Sequence, residues 1–165
     1  MLPIPESFKL VAKKIVGIPA RLIPYSAQKR ALSIVLNQAF REPLEQGELE
    51  FLEGSIVRIK VTDLQIDWLI RVGKDEFEPI DRQRVGDVCI SGEGPDFLLL
   101  ATRQADPDTL FFQRKIRIEG DTELGLGIKN TMDSMDWDDL PTPLRKLLQG
   151  VSLMIARLRK REFLA

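Results

Sequence analysis

Between Val57 and Ile90 apolar and polar residues alternate with a period of two, the signature of strands with one buried face. Val57, Ile59 and Val61 are interleaved with Arg58 and Lys60, and Thr62-Asp63 then marks a turn. Ile66, Trp68, Ile70 and Val72 alternate with Gln65, Asp67, Leu69 and Arg71, which predicts a half-buried antiparallel strand. Gly73-Lys74-Asp75 suits a hairpin into a shorter strand near 76–80, and Val88 and Ile90 predict another before Gly92-Glu93-Gly94-Pro95. A further strand is expected at 115–119, where Ile116 and Ile118 alternate with Lys115, Arg117 and Glu119. Upstream, GELEFLEG at 47–54 also alternates, through Glu48, Leu49, Glu50 and Phe51, before a turn at Glu53-Gly54.

Helical periodicity occupies the rest. Ser7 is a candidate cap for a helix over about 7–16, and Ser26 for one reaching Arg41. The second has a wide apolar face of Ala31, Leu32, Val35, Leu36, Ala39 and Phe40, and Pro43 and Gly47 are expected to end it. Pro95 or Asp96 opens a helix through Arg103, and Asp106-Pro107-Asp108-Thr109 carries turn chemistry. Gly120 stops the strand at 115–119, and Asp121 caps a helix in which Leu124, Ile128, Met132 and Met135 recur. The strongest amphipathic segment begins near Pro141 or Pro143, with Leu144, Leu147, Leu148, Val151, Met154, Ile155 and Leu158 on one stripe. Five or six strands with these helices predict an α+β domain, one mostly antiparallel sheet with helices on one side.

Composition narrows the chemistry. At 165 residues and 44% hydrophobic content the chain fits one core, and no apolar run approaches the roughly 20 residues of a membrane-spanning helix. Histidine is absent, which removes Ser-His and Cys-His nucleophile pairs and the commonest neutral-pH general base. The lone Cys89 forms no internal disulfide and, with carboxylates, makes a poor zinc ligand set. A cysteine-poor chain without a secretory signal pattern suits the cytoplasm. Gly120, Gly125 and Gly127 match no phosphate-binding fingerprint, and Asp121 and Glu123 would repel phosphate. Asp133, Asp136, Asp138 and Asp139 follow no calcium-loop pattern and read as a solvated connection, in which Trp137 either covers a cavity mouth, meets a membrane interface or docks on the surface. No cofactor or metal site is expected, and an enzyme working through carboxylates is the minor reading.

Charge is uneven. Residues 1–41 carry +6, residues 42–140 carry −12 and residues 141–165 carry +5. Helices at the two ends either pair with the acidic middle or form a basic surface for an anionic membrane. The candidate membrane-surface residues are Lys9, Lys13, Lys14 and Arg21 at one end and Arg157, Arg159, Lys160 and Arg161 at the other. Nucleic acid is a poorer partner, because basic and aromatic residues do not interleave.

Two segments resemble a known family. GELEFLEG at 47–54 and DPDTLFFQRKIRIEGDTELGL at 106–126 are similar to the ubiquinone-biosynthesis accessory factors of the sterol carrier protein type 2 (sterol-binding) superfamily. The resemblance is strongest over about 44–62 and 106–133 and weak in the first 25 residues. Taken with the charge pattern, it divides the chain into a basic, amphipathic N-terminal segment (1–25) and a sterol carrier-like lipid-binding domain (26–165). It also implies an apolar lipid cavity between sheet and helices, no catalytic residues, and a role in oxygen-independent ubiquinone synthesis. An isoprenoid quinone precursor or phospholipid would be the ligand, and the hydroxylases UbiU and UbiV, with other ubiquinone-synthesis proteins, the protein partners. A general phospholipid or fatty-acyl carrier on the same fold is the alternative. Under this resemblance Phe111, Phe112, Ile116, Ile118, Leu124, Ile128 and Met132 become candidate lipid contacts, joined by Trp68 and Ile70 on the sheet and Leu147 and Met154 on the last helix. Apolar periodicity alone would make the same residues core. Peripheral attachment to the inner membrane is the further expectation.

Overall fold

In the computed structural model, which describes residues 22–82, 84–134, 142, 143, 145, 146, 149, 150, 153 and 157, five strands form one sheet. They are β1 (Ile56–Val61), β2 (Ile66–Val72), β3 (Phe77–Ile80), β4 (Val88–Gly92) and β5 (Ile116–Gly120), in the order β3-β2-β1-β4-β5. β1, β2 and β3 form an antiparallel meander. β4 then returns beside β1 in parallel, and β5 closes antiparallel on β4. The expectation of a mostly antiparallel α+β sheet therefore holds, with one parallel pair.

The register explains the alternation. Val57 faces Ile70 and Val88, and Ile59 faces Trp68 and Ile90, so these side chains share one face with Ile116, Ile118 and Phe77. The main core lies there, closed by Leu32, Leu49, Leu52, Leu100, Leu110 and Ile128 from the helical layer. Arg58, Lys60, Asp67, Arg71, Glu78, Arg117 and Glu119 occupy the other face. On it the Arg58 guanidinium holds the Asp67 carboxylate through two bonds of 2.8 and 2.6 Å, and Arg71 pairs with Glu78 at 3.0 Å. Leu69 departs from the half-buried expectation for β2. It lies on this polar face yet is fully buried, outside the main core cluster.

The helices are α1 (Tyr25–Ala39), α2 (Arg41–Glu45), α3 (Gly94–Ala101), α4 (Pro107–Phe112) and α5 (Thr122–Ser134). α1 starts one residue before Ser26, and Pro24, not Ser26, is its cap residue. Pro43 does not end helical structure; it sits inside the short α2, near whose start a missing N–H costs little. GELEFLEG is not a strand. Leu49 and Leu52 are both buried, and Glu50–Leu52 forms a 3₁₀ turn, a three-residue repeat that points both leucines into the core. The DPDT turn opens a helix instead of a loop, because the Asp106 carboxylate accepts the Thr109 N–H at 3.0 Å and Pro107 occupies the first helical turn. Asp121 caps α5 as expected, accepting the Leu124 N–H at 3.0 Å.

α1 also closes one edge of the sheet. The Asn37 side-chain amide donates to the Phe77 carbonyl (3.0 Å) while its oxygen accepts the Phe77 N–H (2.7 Å), standing in for a neighbouring strand. The described positions between 142 and 157 are all helical, in line with the expected last helix. Its apolar stripe, including Leu147 and Met154, lies outside the described residues, as do Met135, Trp137, the acids after Ser134 and the expected helix over 7–16.

Candidate functional site

α5 approaches β5 closely because two of its residues have no side chain. A Cβ at Gly125 would lie 2.9 Å from Ile118 Cγ2, and one at Gly127 would overlap the Phe51 ring. These glycines serve helix packing against a strand and against the 3₁₀ turn, as close contact requires. Leu124, Ile128 and Met132 consequently point to the core side, with Ile128 in the buried cluster and the other two packed on it.

Beside this contact runs an open groove of about 540 Å³, lined by β5, the end of α4 and the first half of α5. That volume falls within the usual range of small-molecule sites. Its apolar wall is Phe111, Ile116, Ile118 and Leu126, with Gly125 between them. Arg114, Arg117 and Lys129 bring positive charge to it, and Glu119 and Asp121 bring negative charge. Arg114 has φ of 56°, a left-handed conformation that turns the chain from α4 into β5. Lys129 Nζ is 2.5 Å from Asp108 Oδ1, and the hydrogen bond to Asp108 raises the lysine pKa above its ordinary value. An apolar wall beside fixed charges suits an amphipathic ligand.

Of the candidate lipid contacts read from the sequence, Phe111, Ile116 and Ile118 meet at this groove. Trp68 and Ile70 do not: Ile70 is in the core cluster, and half-buried Trp68 packs against it while its Nε1 donates to Gln28 at 3.0 Å. Phe112 is 88% exposed and does not line the groove, pointing away from the partner ring of its Phe-Phe pair. Leu147 and Met154 lie outside the described residues, as do Lys9, Lys13, Lys14, Arg21, Arg159, Lys160 and Arg161, whereas Arg157 is helical and exposed. Sequence reasoning missed Leu126, 58% exposed on α5, and the three groove cations. Leu126 stands between two glycines and two residues from both Leu124 and Ile128, on the face of α5 away from their apolar stripe, so the only signal was an apolar residue on the helix's outer face.

The single cysteine lies away from the groove. Cys89 sits on the polar face of the sheet, opposite Glu119 in register, and burial pushes its thiol pKa up, away from the reactive thiolate. Among the described residues no three His, Cys, Asp or Glu side chains are grouped to hold a metal ion, and no helix is long and apolar enough to cross a membrane.

Comparison with known proteins agrees with this architecture. The chain is 41% identical over 134 residues to the ubiquinone biosynthesis accessory factor UbiT of Escherichia coli (strain K12), an alignment spanning 81% of this chain and 76% of that protein. The UbiT protein of Escherichia coli O157:H7 aligns with the same identity and coverage. Among solved structures, the UbiJ-SCP2 ubiquinone synthesis protein superposes with a TM-score of 0.54 at 15% identity, covering 67% of this chain and 97% of that one, a likeness of fold. The model of the SCP-2 sterol transfer family matches residues 36–133, from the last part of α1 to the last turn of α5, and so takes in the whole sheet and the groove. The chain belongs to the SCP-2 sterol transfer family.

Proposed function

We propose that the protein is a non-catalytic lipid-binding accessory factor of ubiquinone biosynthesis that holds an isoprenoid quinone intermediate and presents it to ring-modifying enzymes. The observation that carries this reading is the 41% identity with UbiT over 81% of the chain. The groove supports it, because an apolar wall with charge beside it can hold a prenyl chain next to a polar ring. Exposing such a chain to water costs about 0.8 kcal/mol per CH₂. A carrier therefore suits water-soluble enzymes acting on the ring. The absence of histidine and the raised Cys89 pKa favour holding over catalysis.

The finer assignment is to the oxygen-independent branch, with UbiU and UbiV as the hydroxylases served and with peripheral attachment at the inner membrane. The basic ends supply the charge for that attachment, at about 1 kcal/mol per cation near an anionic surface. Deleting the gene tests the assignment. Ubiquinone is expected to fall during anoxic growth and to persist in air, with recovery on complementation; unchanged anoxic ubiquinone would refute the pathway assignment.

A further inference from the structure

The two edges of the sheet are treated differently. On β3 the outward backbone groups belong to Phe77 and Pro79. Asn37 takes both groups of Phe77, and Pro79 has no N–H to offer. On β5, among the described residues, no strand or side-chain amide covers the outer edge. The groove lies against this edge, whose residues 116–122 all line it.

Hydrogen bonding fixes which groups face out. The Asp121 N–H donates to Asp87 O at 2.9 Å, so by alternation Glu119 and Arg117 direct their backbone groups to β4. Ile116, Ile118 and Gly120 therefore direct theirs to the open side. The side chains of Arg117 and Glu119 stand on the polar face of the sheet, both exposed.

We infer that this edge pairs with the same edge of a second copy of the chain, antiparallel about a two-fold axis through Ile118. The segment Lys115 to Asp121 is self-complementary under that operation. Ile118 meets its own copy as a hydrogen-bonded pair, and Ile116 bonds Gly120 of the second copy. Arg117 then stands opposite Glu119 in a non-hydrogen-bonded pair, the arrangement that brings side chains closest. Lys115 falls opposite Asp121, whose second carboxylate oxygen is free of its capping bond to Leu124. The two-fold axis repeats each charge pair. An in-register parallel pairing would instead set Arg117 against Arg117, so charge selects the antiparallel arrangement. The result is one sheet continuous through both copies.

Sedimentation equilibrium of the full chain from micromolar to millimolar concentration tests the pairing, with charge reversals at exposed positions that leave the core untouched. Wild type is expected to dimerise reversibly. Arg117→Glu and Glu119→Arg each turn two attractive pairs into repulsive ones and should weaken the dimer about tenfold or more. The double reversal restores both pairs and the dimer. Mixing the two single variants gives complementary edges, so a heterodimer is expected where neither variant dimerises alone. Circular dichroism verifies that each variant is folded. A wild type monomeric throughout the range, or a dimer indifferent to both single reversals, would overturn the inference.

Discussion

Replacing Asn37 with alanine should destabilise the protein by about 2–3 kcal/mol. The side chain makes two bonds to one residue of β3, at 3.0 Å to the Phe77 carbonyl and 2.7 Å from the Phe77 N–H. Phe77 is 8% exposed and in contact with the Phe40 ring at 5.5 Å between centroids, so water reaches its backbone poorly. Each lost bond removes about 1 kcal/mol net, and a donor and an acceptor left without partners near the core add to that. For a chain of this size the loss corresponds to a fall in Tm of about 4–12 °C. Asn37→Asp separates the two bonds. Its carboxylate still accepts the Phe77 N–H but faces the Phe77 carbonyl with no proton, so it should lose as much at neutral pH and recover part as acid protonates it. Urea unfolding followed by far-ultraviolet circular dichroism gives the free energies, with an unchanged m-value marking a native-state effect. A loss below about 0.5 kcal/mol for Asn37→Ala would refute the reasoning that this amide closes the β3 edge.

Three further outcomes rest on the same geometry. The Arg58 hydrogen bonds hold the Asp67 carboxyl below its ordinary pKa, so the stability they contribute is present above about pH 4 and lost as pH falls through the lowered value. The stability gap between wild type and Asp67→Asn, measured by urea unfolding, should therefore narrow on acidification; a gap that widens would contradict the pairing. Gly127→Ala should cost about 1 kcal/mol, overlap with the Phe51 ring outweighing the gain in helix propensity, and the same change in a Phe51→Ala background should stabilise by about as much; thermal unfolding of the four proteins reads the change of sign. Leu126→Asp should lower co-purified lipid several-fold with little change in stability, since Leu126 is 58% exposed on the groove wall, whereas Phe112→Asp should leave lipid unchanged; equal lipid loss in the two variants would move the binding surface away from the groove.

The strands were legible because their alternation is a local consequence of one buried face, and β1, β2 and β4 appear within a residue or two of where the pattern places them. GELEFLEG misled because Leu49 and Phe51 alternate as in a short strand, whereas the 3₁₀ turn buries Leu49 and Leu52, three residues apart, and sets Phe51 against Gly127. Asp106-Pro107 signals a turn and a helix start equally well, and the capping bond to Thr109 decides. The parallel pairing of β1 with β4 depends on a return across the sheet that no local pattern encodes. The groove was half legible for a related reason. Ile116 and Ile118 follow from alternation, but Leu126 and Arg114 reach it through the turn of α5 and the left-handed residue before β5. Phe112, the more conspicuous apolar residue in sequence, ends on the outside because α4 directs consecutive side chains about 100° apart.

The central claim is that this family member carries an isoprenoid quinone intermediate, and its most direct test is the lipid that leaves with the protein. The full chain, purified without detergent from anoxically grown cells, is extracted with organic solvent and the extract resolved by mass spectrometry, with Leu126→Asp processed in parallel. Prenylated phenols or quinones, enriched over their share of the membrane and depleted in the variant, are the predicted result. An extract holding only phospholipid or fatty acid in membrane proportions, the same for both proteins, would contradict it.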